Sequence, residues 1–223
     1  AVEAIRALTP RLSVNAEVIL LQNGLGSQQQ VAAQLAPVRC IFASSTERAF
    51  RRSAFCVVFA GAGNTSLGDP GDGTPPSWLA ELTDAAIRHQ WSTDIFTPLW
   101  RKLAINCAIN PLTVLHNCRN GELLNYANQI TQLCHELSAL LCACGQVQAA
   151  NNLHCDVLRI ISATAANYSS MQQDVRRQQR TEIGYLLGYA CAEAHRQQVQ
   201  LPHLQALQTA LIAHLQARGL PSH

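Results

Sequence analysis

Hydrophobic and polar positions divide the chain into two stretches with different periods. In the first, short apolar runs alternate with glycine-rich turns. Glu17-Val18-Ile19-Leu20-Leu21-Gln22 carries an unbroken apolar centre, the pattern of a strand in a parallel sheet covered on both faces. Asn23-Gly24-Leu25-Gly26 follows at once, and its glycines allow a tight turn and close approach of backbone to a ligand. Ser27 is placed to cap a helix over residues 28–35, which must end before Pro37, and a second strand is predicted over 38–44. Strand, turn, helix and strand make a βαβ unit. Val2 to Leu8 reads as a helix ahead of it, stopped by Pro10. Further strands are predicted over 54–60 and 65–68, with surface turns at 61–63 and 68–73, and Ser77 starts a helix through Leu79, Leu82 and Ile87.

From residue 95 onward the period is that of a helix. Trp100, Leu103, Ile105 and Ile109 make one, with Asp94 as its N-cap and Pro111 marking an end or a kink. Ile130, Leu133, Leu137 and Leu140 predict a long helix from about Glu122 to Cys144, closed by Gly145. Others are predicted over 153–168, after a Ser170 cap, from Thr181-Glu182-Ile183, and over 204–215. The chain thus reads as α/β over residues 1–92 and all-helical over 93–223, joined by a connector at 91–94.

Lys102, Asn106 and Asn110 are spaced four apart on the helix that begins near Trp100. Each step of four turns a side chain only about 40° further, so the three share one stripe. An ammonium and two amides on an otherwise apolar helix need partners if buried. Composition sharpens the point: of 16 lysines and arginines, Lys102 is the sole lysine. A desolvated ammonium can release a proton near neutral pH, and a guanidinium cannot. The stripe therefore points to proton donation; the bland alternative is a surface lysine beside chance amides.

The chain is 48% hydrophobic and 13% charged, which excludes disorder as its main state, and a net charge of +2 gives no ground for nucleic-acid binding. No apolar run approaches the ~20 residues that span a bilayer. Residues 1–6 lack the basic start and apolar centre of a signal peptide, so a cytoplasmic protein is expected. Nine cysteines, an odd number, include Cys56, Cys107, Cys142 and Cys191 inside apolar patterns, the mark of buried free thiols. Cys134, His135, Cys142, Cys144, His154 and Cys155 cluster without any C-x-x-C pair, so no metal site is expected.

Several motifs together resemble one family. Gln22 to Gly26, Trp100 to Asn106, Asn110-Pro111-Leu112-Thr113, Cys118 to Leu123, Ser169 to Asp174 and Arg180-Thr181-Glu182-Ile183 are similar, in order and spacing, to the ketopantoate reductase (2-dehydropantoate 2-reductase) family. The resemblance covers essentially the whole chain. It implies the C-terminal part of a Rossmann-like nucleotide domain, then an all-helical domain of the 6-phosphogluconate dehydrogenase C-terminal type. It implies NADPH-dependent reduction of 2-dehydropantoate to pantoate, in pantothenate and coenzyme A synthesis.

By the same resemblance Lys102 is the general acid and Glu182 the carboxylate that bonds the substrate hydroxyl. Asn106, Asn110, Asn120, Asn167 and Ser170 contact the substrate. Asn23 lies where cofactor and substrate meet, and Ala49 lines the cofactor by a looser alignment. On the residues alone, Glu182 could instead favour a helix start, and Asn23 and Asn120 could be turn residues. The family's G-x-G-x-x-G unit, which holds the pyrophosphate, is not in these 223 residues, and neither is a basic residue for the 2′-phosphate. An N-terminally truncated reductase is the expectation. The alternatives are a non-catalytic helical binding or dimerisation fragment, and an oxidoreductase acting on another 2-keto acid. The sequence leaves a homodimer open.

Overall fold

Cys40 to Ser44 are buried without a break, which makes β2 (Arg39–Ser45) the strand covered on both faces. The computed structural model describes residues 2–71 and 73–222, the side chains of Phe50, Arg51 and Ala60 excepted. Asp72 of the predicted 68–73 turn thus lies outside the described residues. The chain forms two units: residues up to Gln22 with Ser27–Leu99, and Asn23–Gly26 with the residues from Trp100 onward. The Asn23–Gly26 turn thus travels with the second unit.

In the first unit, α1 (Val2–Leu8) precedes β1 (Glu17–Leu20), α2 (Ser27–Leu35) and β2. β1 and β2 pair in parallel, as a βαβ unit requires. Then come β3 (Arg48–Ser53), β4 (Cys56–Gly61), β5 (Thr65–Gly68), α3 (Leu79–Asp84) and β6 (His89–Trp91). The four-stranded sheet has the order β1-β2-β5-β6. β5 runs antiparallel to β2 and parallel to β6. Ile41, Ala43 and Leu67 form its core, against Trp78, Leu79, Leu82 and Trp91.

Several expectations change here. Among the described residues β1 is an edge strand, with Ile19 and Leu21 40% and 53% exposed rather than buried. Ser27 is the first residue of α2 rather than its cap, and its hydroxyl bonds the Gln28 side chain. α3 is shorter than predicted, leaving Ile87 exposed, and the 91–94 connector begins inside β6. β3 and β4 form a separate antiparallel ribbon, on which Phe55, Val57 and Phe59 are exposed.

The second unit is built around α4 (Phe96–Leu115), which is buried at Trp100, Leu103, Ala104, Cys107, Ala108, Ile109, Leu112 and Val114. A helix apolar on nearly every side belongs at the centre of a bundle. Pro111 neither ends nor delimits it; the helix runs on to Leu115 and closes at Asn117, whose φ of 47° is left-handed. Asp94 accepts from the Thr97 N–H at 3.2 Å, as a residue ahead of a helix can.

A 3₁₀ helix (Asn120–Tyr126) then leads into α5 (Ala127–Ala143), α6 (Val147–Ala150), α7 (Leu153–Ala163), α8 (Ser170–Arg176), a 3₁₀ turn (Ile183–Tyr185), α9 (Leu187–Arg196) and α10 (Pro202–Ala217). α5 packs on α7, α9 and α10. Glu136 of α5 caps α10, accepting from the backbone N–H of His203 and Leu204, each at 2.9 Å. The long helices predicted from 122 and over 153–168 are thus shorter at one end. All nine cysteines are free, but Cys142 and Cys155 are exposed and Cys56 and Cys191 only half-buried. Cys142 lies off the face of α5 that buries Leu133, Leu137 and Leu140.

Candidate active site

The turn after β1 is shaped by contacts inside the second unit. Leu25 N–H donates to the Tyr185 carbonyl at 3.0 Å. Gly24 has φ of 77°, and a Cβ there would lie 2.2 Å from that same carbonyl oxygen. Only glycine meets both demands. At Gly26 the Tyr189 ring comes within 3.0 Å of where a Cβ would be. Seated this way, the turn presents Asn23, whose Nδ2 donates to Glu182 Oε2 at 3.2 Å. Glu182 stands just ahead of the 183–185 turn, and its carbonyl accepts from the Tyr185 and Leu186 N–H groups.

Lys102 is half-buried on α4 and interacts electrostatically with Glu182. Desolvation pulls the Lys102 ammonium below its ordinary value, and the Glu182 charge resists that pull. Burial pushes the Glu182 carboxyl up, while the Asn23 hydrogen bond and the Lys102 charge pull it back. Such a pair holds a proton more loosely on the lysine and more tightly on the glutamate than water would. Asp174 on α8 joins them. Burial, with the Glu182 charge adding to it against Arg177, pushes its carboxyl up to about 6.

The predicted amides are spread along the same unit. Asn106 is half-buried and Asn110 buried, next on the stripe from Lys102. The Asn110 carbonyl accepts from the Thr113 hydroxyl at 2.7 Å, and that hydroxyl pairs with Ser169 Oγ at 2.6 Å. Ser169, not Ser170, caps α8, accepting from the Gln172 N–H at 3.1 Å; Ser170 is exposed as the first residue of the helix. Asn120 is buried, donates to Thr164 Oγ1 at 2.8 Å, and has an Oδ1 with no hydrogen-bond partner among the described residues. Asn167 is exposed in the turn after α7. Its carbonyl accepts from the Asn120 N–H at 2.9 Å. Ala49 belongs to the first unit, exposed on β3.

A family model described as ketopantoate reductase PanE/ApbA C terminal matches residues 94–216, and one described as ketopantoate reductase PanE/ApbA matches residues 1–72. The chain belongs to the ketopantoate reductase family. The 2-dehydropantoate 2-reductase of Shigella flexneri is 34% identical over 90% of this chain. The alignment covers 66% of that protein, so the chain spans just under two thirds of this ketopantoate reductase's length. The crystal structure of a PanE/ApbA family ketopantoate reductase from Ralstonia eutropha JMP134 matches with a TM-score of 0.87 and 23% identity, over 97% of this chain and 72% of that one. A complex of D-mandelate dehydrogenase with NADH matches with a TM-score of 0.86 and 18% identity, over 97% and 75%. These two likenesses fix the fold, part of a Rossmann-like domain followed by a helical domain.

Asp174 had no role on sequence grounds, although its motif was visible; its proximity to Glu182 is a product of the fold. Thr113 was likewise only part of a motif. No group of three or more His, Cys, Asp or Glu side chains among the described residues is arranged to hold a metal ion. No helix among them is long and apolar enough to cross a membrane. A groove of about 330 Å³ elsewhere in the second unit, between Leu112, His116, Leu133, His203 and Leu207, contains none of the predicted residues.

Proposed function

We propose that this chain is the substrate-binding and proton-donating part of an NADPH-dependent 2-dehydropantoate 2-reductase. Residues 1–92 are the remainder of the nucleotide domain and 93–223 the catalytic domain. The observation that carries the reading is the cluster of Lys102, Glu182 and Asn23, in which the sole lysine is desolvated beside a carboxylate. The Shigella relative's activity and the cytoplasmic setting of coenzyme A synthesis come to this chain as part of the same proposal.

The residues present do not fit the dinucleotide's phosphates. No G-x-G-x-x-G run occurs among them, and at Gly24 and Gly26 the space beside the turn is taken by Tyr185 and Tyr189. The chemistry assigned here is therefore confined to the keto acid. A reduced nicotinamide, when bound, would supply the hydride to the keto carbon. Lys102 Nζ donates its proton to the ketone oxygen, so that no free alkoxide forms, and the lysine is then reprotonated from solvent. Glu182 accepts from the substrate hydroxyl and keeps Lys102 charged between turnovers. Asn106, Asn110, Asn120, Asn167 and Ser170 orient the acid and its carboxylate. Asn23 holds Glu182, and Ala49 lies toward the cofactor.

Steady-state kinetics of the full-length protein with NADPH test this. Lys102→Ala is expected to lower turnover of 2-dehydropantoate by about 100-fold or more, the range for a general acid. Unchanged turnover would remove Lys102 from the mechanism. Equal or better use of unbranched 2-oxo acids, or of benzoylformate, would move the assignment to another 2-keto acid. No keto-acid reduction at all would favour a binding module.

A further inference from the structure

Three side chains outside the proposed chemistry converge on the turn before α8. The guanidinium carbon of Arg176 lies 3.7 Å from the centre of the Tyr168 ring, and that of Arg119 lies 5.0 Å from it. Arg119 Nη1 also donates to the Ala166 carbonyl at 2.6 Å. Beside it the main chain makes two more bonds, Asn120 N–H to the Asn167 carbonyl at 2.9 Å and Gly121 N–H to the Ala165 carbonyl at 3.1 Å. Gln173 Nε2 donates to the Tyr168 carbonyl at 3.2 Å. Tyr168 is therefore where three segments meet: the 3₁₀ helix that carries Asn120, the turn that carries Asn167, and α8 with Ser170 at its head.

The set needs such a fastening. Asn167 and Ser170 are both exposed, so core packing does not fix them. Two guanidiniums at one ring repel each other, which solvation alone would not favour; the bond from Arg119 to Ala166 holds one of them in place. Each cation–π contact is weak on a partly exposed ring. Surface turns open with little free energy, so two such contacts are on the scale that decides whether this one stays closed.

We propose that Tyr168, clasped by Arg119 and Arg176, is a positioning residue that holds Asn120, Asn167 and Ser170 together as one keto-acid-binding set. This rests on the substrate roles proposed above for those three residues.

Two measurements on the full-length protein separate this inference from its premise. The first is amide hydrogen exchange without ligand. Tyr168→Ala is expected to speed exchange at Asn120 and Gly121 about tenfold or more, with Arg176→Met intermediate, and Tyr168→Phe, which keeps the ring but loses the hydroxyl that Arg176 and Arg119 bond, also intermediate. The amides of α5 should not change. The second is kinetics with 2-dehydropantoate and NADPH. Tyr168→Ala is expected to raise KM for the keto acid about tenfold, with kcat and KM for NADPH within about twofold, the signature of lost uniform binding. Tyr168→Phe, which keeps the ring and loses the hydroxyl, is expected to recover part of the loss. Unchanged exchange overturns the clasp. Faster exchange with an unaltered keto-acid KM, or with equal losses for both substrates, overturns the positioning role. A parent enzyme that does not reduce 2-dehydropantoate sinks the functional premise, while the exchange result still decides the clasp.

Discussion

Asn23 and Glu182 stand 159 positions apart in sequence and are joined by a hydrogen bond of 3.2 Å. The bond depends on a glycine beside it. Gly24 takes a left-handed φ against the Tyr185 carbonyl, and nothing larger fits. The turn and the carboxylate are thus held in one arrangement by backbone rather than by side-chain reach.

Gly24→Ala is accordingly expected to destabilise the protein by about 1–3 kcal/mol, because the new methyl group meets backbone and the φ is unfavourable. Thermal unfolding measures this. The same variant should weaken substrate handling through the displaced Asn23. A stability and KM equal to the parent's would mean that the turn is free to move.

The mutual influence of Lys102 and Glu182 gives a pH signature. A general acid works only while protonated, so kcat/KM should fall as pH rises through the Lys102 titration. Desolvation places that fall below the ordinary lysine range. Glu182 raises the Lys102 value, so Glu182→Gln should move the basic limb of the profile to lower pH. A limb that stays in place, or moves up, would show that the two charges do not communicate. Lys102→Arg should not restore turnover, since a guanidinium keeps its proton.

The parts of the site that follow a local period were readable in the sequence. Lys102, Asn106 and Asn110 share a stripe because the helix repeats, and the repeat is written in Trp100, Leu103 and Ile109. Asn23-Gly24 was readable as a turn for its glycine alone. What stayed hidden depends on partners far along the chain. Nothing local to Asn23 names Glu182 or Tyr185 as its neighbours. β3 carries arginines and β6 is the three residues His-Gln-Trp, so neither shows the apolar alternation of a strand; pairing with β4 and β5 creates them. Pro111 reads locally as a helix end or a kink because local rules count its missing donor; the helix does not end there, since burial of α4 on both sides of it outweighs one lost bond. Ser169 and Ser170 are equivalent as caps until Thr113 selects the first.

Asp174 is a further consequence of the fold. Its carboxyl is pushed up to about 6 by burial, with help from Glu182. The folded protein therefore holds this proton more tightly than the unfolded chain. Between pH about 4 and 6 the native state binds the extra proton, so stability falls as pH rises through that window and levels off above it. Asp174→Asn removes the penalty. It is expected to be more stable than the parent by about 1 kcal/mol at pH 8, a figure discounted for solvent screening at a half-exposed group, with no gain below pH 4. Unfolding midpoints across this range check it. A variant less stable than the parent at pH 8 would mean that the carboxylate has a partner whose loss outweighs its burial.

Arg101 behaves in the opposite sense. Its Nε donates to Asp156 Oδ2 at 2.9 Å, and its Nη1 donates to the carbonyls of Ala149 and Asn151, each at 2.8 Å. One guanidinium thus ties α4 to the α6–α7 connection. Burial would raise the Asp156 carboxyl, but hydrogen bonds from Arg101 and Arg159 outweigh it and leave the value below the ordinary one. A depressed carboxylate contributes stability that is present above its unfolded pKa and lost as pH falls through the folded one. Arg101→Met should therefore cost about 2 kcal/mol at pH 7, where it leaves Asp156 Oδ2 and two carbonyls without their donor while Arg159 still bonds Oδ1. The difference from the parent should shrink as pH falls below the ordinary carboxylate range toward 3, where Asp156 begins to take up a proton. Arg101→Lys should recover little, because one ammonium cannot serve the carboxylate and both carbonyls together. Urea unfolding at the two pH values decides the matter: a cost equal at pH 3 and pH 7 would assign the effect to packing of the arginine stem rather than to its charge.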